Sequence, residues 1–232
     1  MSEAAALSPA GAGRALERLR PRYGALPWRP HGDGVAELVL TILSQHTNDT
    51  LSGTAFARLL ATFPTWDAIA EAPEEEIATA IKDGGLARQK APRIKAALTR
   101  IREACGGYDL GFLRGLPVAE AKRWLCALPG VGPKTAACVL LFALGRPALP
   151  VDTHVFRVSR RLGLIGERVT EAKAHDALEA LLPPEDFYAF HVALIKHGRH
   201  TCTAQRPRCG ACPLSDICPS AVRGGGRPQP GG

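Results

Sequence analysis

Apolar side chains recur along most of the chain at spacings of three and four residues, which is the period of one face of an α-helix. The pattern is clearest from Val35 to Leu43, where apolar residues occupy positions i, i+3, i+4, i+7 and i+8. Similar segments predict helices at 54–63, 74–84, 92–105, 119–127, 133–144, 153–162, 172–181 and 186–201. No segment alternates strictly between apolar and polar residues, so no strand is predicted. The pattern therefore indicates an all-α protein.

The two ends of the chain do not share this pattern. The first dozen residues are rich in alanine, glycine, serine and proline and are expected to fray. Residues 219–232, rich in glycine and proline, are expected to form a disordered tail. The longest apolar run, residues 136–144, is about half of the ~20 residues that span a bilayer. Because the first thirty residues also lack the apolar segment of a secretory signal, we expect neither membrane insertion nor secretion.

The charge of the chain favours an anionic partner. Its formal net charge is +7 at pH 7, and arginine accounts for 22 of the 29 basic side chains. Guanidinium groups bind phosphate through paired hydrogen bonds, which makes such a balance typical of nucleic-acid binding, although GC-rich genomes produce the same excess. The odd number of cysteines, seven, argues against a disulfide framework and for a reducing compartment. We therefore expect a cytoplasmic protein with an anionic partner, nucleic acid being the favoured class.

Four of the seven cysteines lie within seventeen residues. They are Cys202, Cys209, Cys212 and Cys218, separated by six, two and five residues. Structural zinc sites usually pair two C-x2-C knuckles across a longer spacer, whereas this compact spacing suits a 4Fe-4S cluster, each of whose irons takes one cysteine. The spacing favours iron–sulfur and leaves structural zinc as the alternative. Either centre would hold the loop folded and fix Arg206 and Arg208 as phosphate contacts, unless these are ordinary surface arginines.

Residues 128–136 read LPGVGPKTA and lie between two predicted helices. Gly130 and Gly132 permit a tight turn whose backbone N–H groups face outward and continue into the amino end of the next helix. Such an edge binds phosphate without contacting bases, so it holds DNA of any sequence. An ordinary turn between two helices is the simpler alternative. The lysine and threonine that follow make the segment more specific than a G-x-G alone.

Together these segments resemble the endonuclease III-like DNA glycosylases, the iron–sulfur branch of the helix-hairpin-helix Gly-Pro-Asp superfamily. The resemblance covers roughly residues 30–218. It is carried, in the family's order, by residues 42–47 (ILSQHT), 128–136 (LPGVGPKTA), 151–155 (VDTHV), 197–199 (HGR) and the four cysteines. It implies two helical domains flanking a DNA-binding cleft: a six-helix barrel at 36–147, and an iron–sulfur cluster domain formed by 1–35 with 148–218.

The resemblance implies that Lys134 and Asp152 are the catalytic pair. Cleavage of an N-glycosidic bond passes through an oxocarbenium-like state, which a nearby carboxylate stabilises. An amine that attacks the anomeric carbon forms a Schiff base once the base has left, and the imine permits β-elimination of the 3′ phosphate. Without the resemblance, Lys134 would be interpreted as a solvated lysine and Asp152 as the N-cap of the following helix.

The same resemblance implies a set of residues that contact DNA. A glycosylase extracts its target nucleotide from the duplex at a cost of a few kcal/mol, and other side chains fill the gap. Gln45 is expected to insert from one side and Leu86, with the loop 85–90, from the other. Without the resemblance, Gln45 would be interpreted as a helix cap and Leu86 as a hydrophobic anchor. The remaining implied DNA contacts are Arg88, Gly130, Val131, Gly132, Thr135, His154, Arg206 and Arg208.

The implied activity is that of a bifunctional DNA glycosylase and AP lyase. We expect it to act as a monomer on double-stranded DNA containing a damaged base, above all an oxidised pyrimidine, or an abasic site. The alternatives are a monofunctional adenine or mismatch glycosylase, whose family members typically lack lysine at the position of Lys134, and a catalytically idle DNA-binding paralogue. The chain departs from the family's pattern at four positions, Cys126, Pro133, His46 and Asn48. These departures are expected to affect which substrates are accepted more than which class of reaction is catalysed.

Overall fold

The computed structural model describes residues 9–29 and 31–222, and every regular element within these ranges is helical. The α-helices of the described part are α1 (Pro9–Tyr23), α2 (Gly34–Ser44), α3 (Asp49–Thr62), α4 (Trp66–Glu71), α5 (Glu74–Ala80), α6 (Ala87–Cys105), α7 (Val118–Cys126), α8 (Pro133–Cys138), α9 (Thr153–Arg161), α10 (Glu171–Glu179) and α11 (Phe187–His200). The all-α class is therefore confirmed. Short 3₁₀ turns connect several helices, and α8 continues into a π-helical segment, Val139–Ala143.

The first helix corrects one expectation. α1 occupies part of the first dozen residues, so the expected fraying is wrong from Pro9 onward. The helix packs on α11, and its apolar face is buried. Its buried residues follow helical spacing, but two of them are small alanines, which weakens the apolar pattern in the sequence. The buried residues are Ala12, Ala15, Leu16 and Leu19. α4 was also not predicted, because its six residues are too few to show a helical period.

Two helices begin five residues before their predicted starts. α3 begins at Asp49 rather than 54, because the side chain of Asn48 accepts a hydrogen bond from the N–H of Leu51 and caps a largely polar first turn. α6 begins at Ala87 rather than 92. Proline favours the first turn of a helix, which made Pro92 the predicted start, yet α6 continues through it.

The chain divides into two compact units. The hairpin unit is Arg29–Pro150, and the cysteine unit is Met1–Trp28 with Val151–Gly232. The boundaries predicted from the sequence, 36 and 147, both fall inside the hairpin unit. A division at residue 36 would cut α2, five of whose apolar residues belong to the core of this unit.

α2 is the central helix of the hairpin unit. It packs on α3, α6 and α8, and five of its apolar residues have no exposed surface. These residues are Val35, Leu38, Val39, Ile42 and Leu43. The continuous apolar face therefore fixes α2 inside the unit, and the polar segment that follows it emerges at the surface next to the hairpin 128–136.

α11 is the corresponding helix of the cysteine unit, where it packs on α1 and α9. Phe190 and Leu194 on its apolar face are fully buried. α11 ends at His200 and leads directly into the loop that holds the four cysteines. Most of the predicted disordered tail lies outside the described residues, which end at 222. Among the described residues, no helix is both long enough and apolar enough to cross a membrane.

Candidate active site, hairpin and cluster loop

The segment 128–136 forms a hairpin between α7 and α8. The side chains of Leu128 and Val131 are buried and anchor it, and the Val131 N–H donates to the Leu128 carbonyl at 3.2 Å. Gly130 has a φ of +76°, so the turn requires glycine there. Gly132 is extended and caps α8 without a side chain.

Four backbone donors are left open along this hairpin. The N–H groups concerned have no acceptor among the described residues and belong to Gly130, Gly132, Lys134 and Thr135. The predicted anion-binding edge is therefore available, with two corrections to its membership. The Val131 N–H is already bonded within the turn, and the Thr135 side chain is buried, so Thr135 can offer only its backbone.

Gln45 lies against the hairpin rather than free in solvent. Its Nε2 donates to the Gly130 carbonyl at 3.3 Å, and its Oε1 accepts from a guanidinium nitrogen of Arg93 at 3.3 Å. The side chain therefore joins α2, α6 and the turn. Insertion of Gln45 into a duplex would require these two bonds to break.

Two exposed residues flank this region with left-handed backbone. His46 has a φ of 54° and Leu86 a φ of 51°, and they are the non-glycine residues with positive φ in the described part of the chain. Such backbone is strained for L-residues and concentrates at functional sites. Leu86 is 46% exposed, so the simpler interpretation of it as a buried anchor is wrong, and Arg88 is exposed beside it.

Lys134 is the second residue of α8 and is half-buried. The charge of Lys134 acts on Glu37 of α2, a carboxylate that is 6% exposed. Burial raises the pKa of Glu37, while the positive charges of His31 and Lys134 oppose the shift. One oxygen of Glu37 accepts from the Thr41 hydroxyl at 3.2 Å, and the other lies 3.4 Å from Nδ1 of His31. Sequence reasoning missed this carboxylate, although a glutamate within so apolar a helix was a visible signal.

Asp152 begins α9 in the cysteine unit. Its Oδ1 accepts a hydrogen bond from the Val155 N–H at 2.8 Å, so the capping role is real. Its other oxygen has no bond among the described residues. His154 follows it and lies 3.1 Å from a guanidinium nitrogen of Arg157. Burial lowers the pKa of His154, so its ring is neutral at pH 7.

The four cysteines line one cavity of the cysteine unit. Four sulfurs around one cavity supply the one cysteine per iron that a 4Fe-4S cluster takes.

Donors are also aimed at the cysteine sulfurs. Arg161 donates to the Cys202 sulfur at 3.3 Å, and the Leu214 N–H donates to the Cys212 sulfur at 3.4 Å. Burial raises the pKa of the Cys212 and Cys218 thiols, so metal coordination is what would make them thiolates. The residues present therefore fit an iron–sulfur cluster.

Two arginines one turn apart on α9 hold the cluster loop, and sequence reasoning missed both. Arg157 donates to the carbonyls of Gly198 and Cys202 at 2.9–3.2 Å. Arg161 donates to the carbonyls of Thr203 and Ala204, each at 2.7 Å. The helix that Asp152 caps is thus tied to the cysteine loop. Arg206 and Arg208 project from that loop and are exposed, as the sequence predicts.

Comparison with known proteins agrees with this geometry. Residues 39–184 match the HhH-GPD superfamily of base excision DNA repair proteins, and residues 202–218 match the iron–sulfur binding domain of endonuclease III. Endonuclease III of Thermotoga maritima is 36% identical over 181 residues, which is 78% of this chain and 80% of that protein. A putative DNA glycosylase of Arabidopsis thaliana is 42% identical over 162 residues, 70% of this chain but only 55% of the plant protein.

A solved structure of endonuclease III, trapped as a covalent intermediate with DNA, superposes with a TM-score of 0.81 at 30% identity and covers 93% of this chain and 97% of that one. The chain therefore belongs to the HhH-GPD superfamily of base excision DNA repair proteins, in its endonuclease III-like branch. Its cofactor is the 4Fe-4S cluster of that branch, and the matched segment 202–218 contains the four cysteines that line the cavity.

Proposed function

We propose that this DNA glycosylase is bifunctional: it removes damaged bases, with oxidised pyrimidines as the preferred class, and nicks the resulting abasic site by β-elimination. The observation that carries the proposal is the position of Lys134, an amine at the start of α8 directly beside the open N–H groups of the hairpin. The proposal is also supported by the solved relative, which was trapped as a covalent intermediate with DNA.

Lys134 supplies the nucleophile in this proposal. Its Nζ forms a bond to the anomeric carbon of the deoxyribose, and the damaged base leaves with the electrons of the glycosidic bond. The attached nitrogen loses one proton, which the departing base takes up. The C1′–O4′ bond then breaks, the ring oxygen takes a proton from solvent, and the nitrogen lone pair forms the C=N bond of a protonated Schiff base. Removal of a proton from the 2′ carbon expels the 3′ phosphate. Asp152 stabilises the positive charge that develops on the sugar through the carboxylate oxygen not used in capping.

The hairpin supplies the contact to the DNA backbone. The open N–H groups of Gly130, Gly132, Lys134 and Thr135 bind phosphate oxygens of the duplex in the proposed complex. The 4Fe-4S cluster, when bound, orders the loop that carries Arg206 and Arg208, which provide further phosphate contacts. Leu86 and Gln45 fill the space left by the extracted nucleotide. We propose that the enzyme acts as a monomer on double-stranded DNA.

Alanine substitutions at the two hairpin glycines are expected to separate folding from phosphate binding. In Gly130→Ala, the left-handed backbone and a Cβ 3.0 Å from the Arg93 side chain lower the free energy of unfolding by about 1–2 kcal/mol. In Gly132→Ala, the new Cβ meets no atom within 4 Å, so stability stays within about 0.5 kcal/mol. Its methyl group nevertheless obstructs the phosphate edge and weakens duplex binding. Denaturant unfolding checks the expected stabilities, and duplex binding at fixed salt concentration checks the expected loss of affinity. Wild-type affinity for the duplex in Gly132→Ala would contradict the proposed phosphate-binding edge.

Borohydride trapping on a panel of duplexes tests the proposed activity. Each duplex carries one oxidised pyrimidine, one abasic site, one adenine mispair or no lesion. We expect base release and a covalent adduct with the oxidised pyrimidine, and an adduct alone with the abasic site. Base release from the mispair without any adduct would indicate a monofunctional glycosylase. Binding without release or adduct would indicate an idle paralogue.

A further inference from the structure

Lys90 is a lysine with almost no access to water. It lies on α6, is 1% exposed and is the largest of the fully buried side chains in the described part of the chain. Its Nζ donates to the Leu43 carbonyl at 2.6 Å and to the Gly84 carbonyl at 2.8 Å. A buried ammonium is rare in proteins, because its charge loses hydration that only close partners restore. The position therefore calls for an explanation beyond the filling of space.

The two carbonyls that accept from Lys90 belong to the stems of two different loops. Leu43 lies in the last turn of α2, and Gly84 ends the 3₁₀ turn Lys82–Gly84. Carbonyls at helix ends lack intrahelical partners and carry partial negative charge, so a cation satisfies them well. We call residues 44–48 the glutamine loop and residues 84–88 the leucine loop. The Lys90 side chain thus bonds Leu43, which directly precedes the glutamine loop, and Gly84, the first residue of the leucine loop.

Each of these loops presents one exposed residue in left-handed backbone. His46 occupies that position in the glutamine loop and Leu86 in the leucine loop. The side chain of Leu86 is largely exposed, so burial of its own apolar surface does not compensate the backbone strain. Strained backbone persists where the surrounding structure holds it in place. Lys90 bonds the backbone two residues before Leu86 and three before His46, which is where such support is needed.

A second lysine on the same helix shows what an ordinary packing role looks like. Lys95 is partly buried, and its Nζ donates to the Ala72 carbonyl at the end of α4 at 2.7 Å. That bond satisfies one helix end and reaches neither loop. Lys90 differs because its bonds join segments that are 47 and 6 residues away in the chain.

We propose that Lys90 is a positioning residue that holds the glutamine loop and the leucine loop at one fixed separation, so that both enter a damaged duplex together. The proposal rests on the proposed function, in which these loops fill the space left by the extracted nucleotide. Lys90 itself does not touch DNA. Its contribution is to recognition of a lesion and not to general affinity for the duplex backbone.

The test compares Lys90→Met with Lys95→Met, both as proteins loaded with the cluster. Methionine keeps an unbranched side chain of similar length but cannot donate a hydrogen bond. The measured quantity is the ratio of affinities for a duplex with a tetrahydrofuran abasic-site analogue and for the same duplex undamaged. We expect this ratio to fall at least about tenfold in Lys90→Met, while the affinity of the variant for undamaged duplex stays unchanged. Lys95→Met should keep the wild-type ratio at a comparable loss of thermal stability.

A Lys90→Met protein that folds and keeps the wild-type ratio overturns the inference. Because this variant loses two buried hydrogen bonds and could fail to fold, wild-type hydrogen exchange provides an independent measurement. On addition of the abasic-site duplex, amides of both loops should gain protection together, and independent responses would overturn the inference. A wild-type protein that does not prefer the lesion at all overturns the proposed function as well, so the two failures are distinguishable.

Discussion

The Lys134→Ala variant is expected to form no borohydride-trapped adduct with an abasic duplex, and its strand-nicking rate should fall by at least about 10³-fold. The substitution removes the only atom proposed to bond to the sugar, and removal of a covalent nucleophile leaves only binding and electrostatic stabilisation to accelerate the reaction. Alanine favours helix at this position, so α8 and the hairpin should stay intact. Trapping, nicking and duplex binding measured on one preparation check all three expectations.

Lys173→Ala is the matched control for this substitution, because Lys173 is an exposed helical lysine on α10. It should trap and nick as the wild type does. An undiminished adduct in Lys134→Ala would assign the nucleophile to another amine and would remove the central support of the proposed mechanism. Loss of duplex binding together with the adduct would instead indicate a damaged hairpin.

Asp152→Asn should fold normally and yet lose about 10²–10⁴-fold in the rate of base release. Asparagine accepts the same capping hydrogen bond from the Val155 N–H, so α9 keeps its start. It carries no negative charge, and the cation that develops on the sugar loses its stabilisation. Single-turnover base release, compared with thermal unfolding, separates these two functions of one side chain.

Two further variants complete the Asp152 test. Asp152→Ala removes the cap as well and should cost about 1 kcal/mol of stability in addition to the rate. Asp33→Asn alters the N-cap of α2, where Asp33 accepts from the Ala36 N–H at 2.7 Å, and should leave the rate unchanged. A wild-type rate of base release in Asp152→Asn would mean that Asp152 acts only as a helix cap, and would contradict its catalytic role.

Several residues of the site could be predicted because their signals are local. The spacing of Cys202 to Cys218 indicated one metal loop, and the structure places all four sulfurs around one cavity. The two glycines of the hairpin indicated a turn with open N–H groups, and Gly130 has the positive φ that this requires. Such features depend on residues within one or two turns of each other, so the sequence displays them directly.

Other residues could not be assigned from their local pattern. Val131 was predicted to contact DNA, but its side chain anchors the turn and its N–H is already bonded. Gln45 was predicted to insert into the duplex, and the structure adds that its side chain bonds the hairpin and Arg93 when no DNA is bound. The bonding state of each group depends on which distant backbone atoms come within reach after packing.

The amino-acid order alone was enough for the helical class, the clustering of four cysteines in one loop, the hairpin and the capping position of Asp152, because each follows from short-range spacing and backbone preference. Packing was needed to establish the burial of Lys90 and Glu37, two charged residues that a local pattern would place on solvated faces. Lys90 meets Leu43 across 47 residues of chain. The free energy of burying a charged side chain depends on such contacts between distant parts of the chain, which no short stretch of sequence encodes.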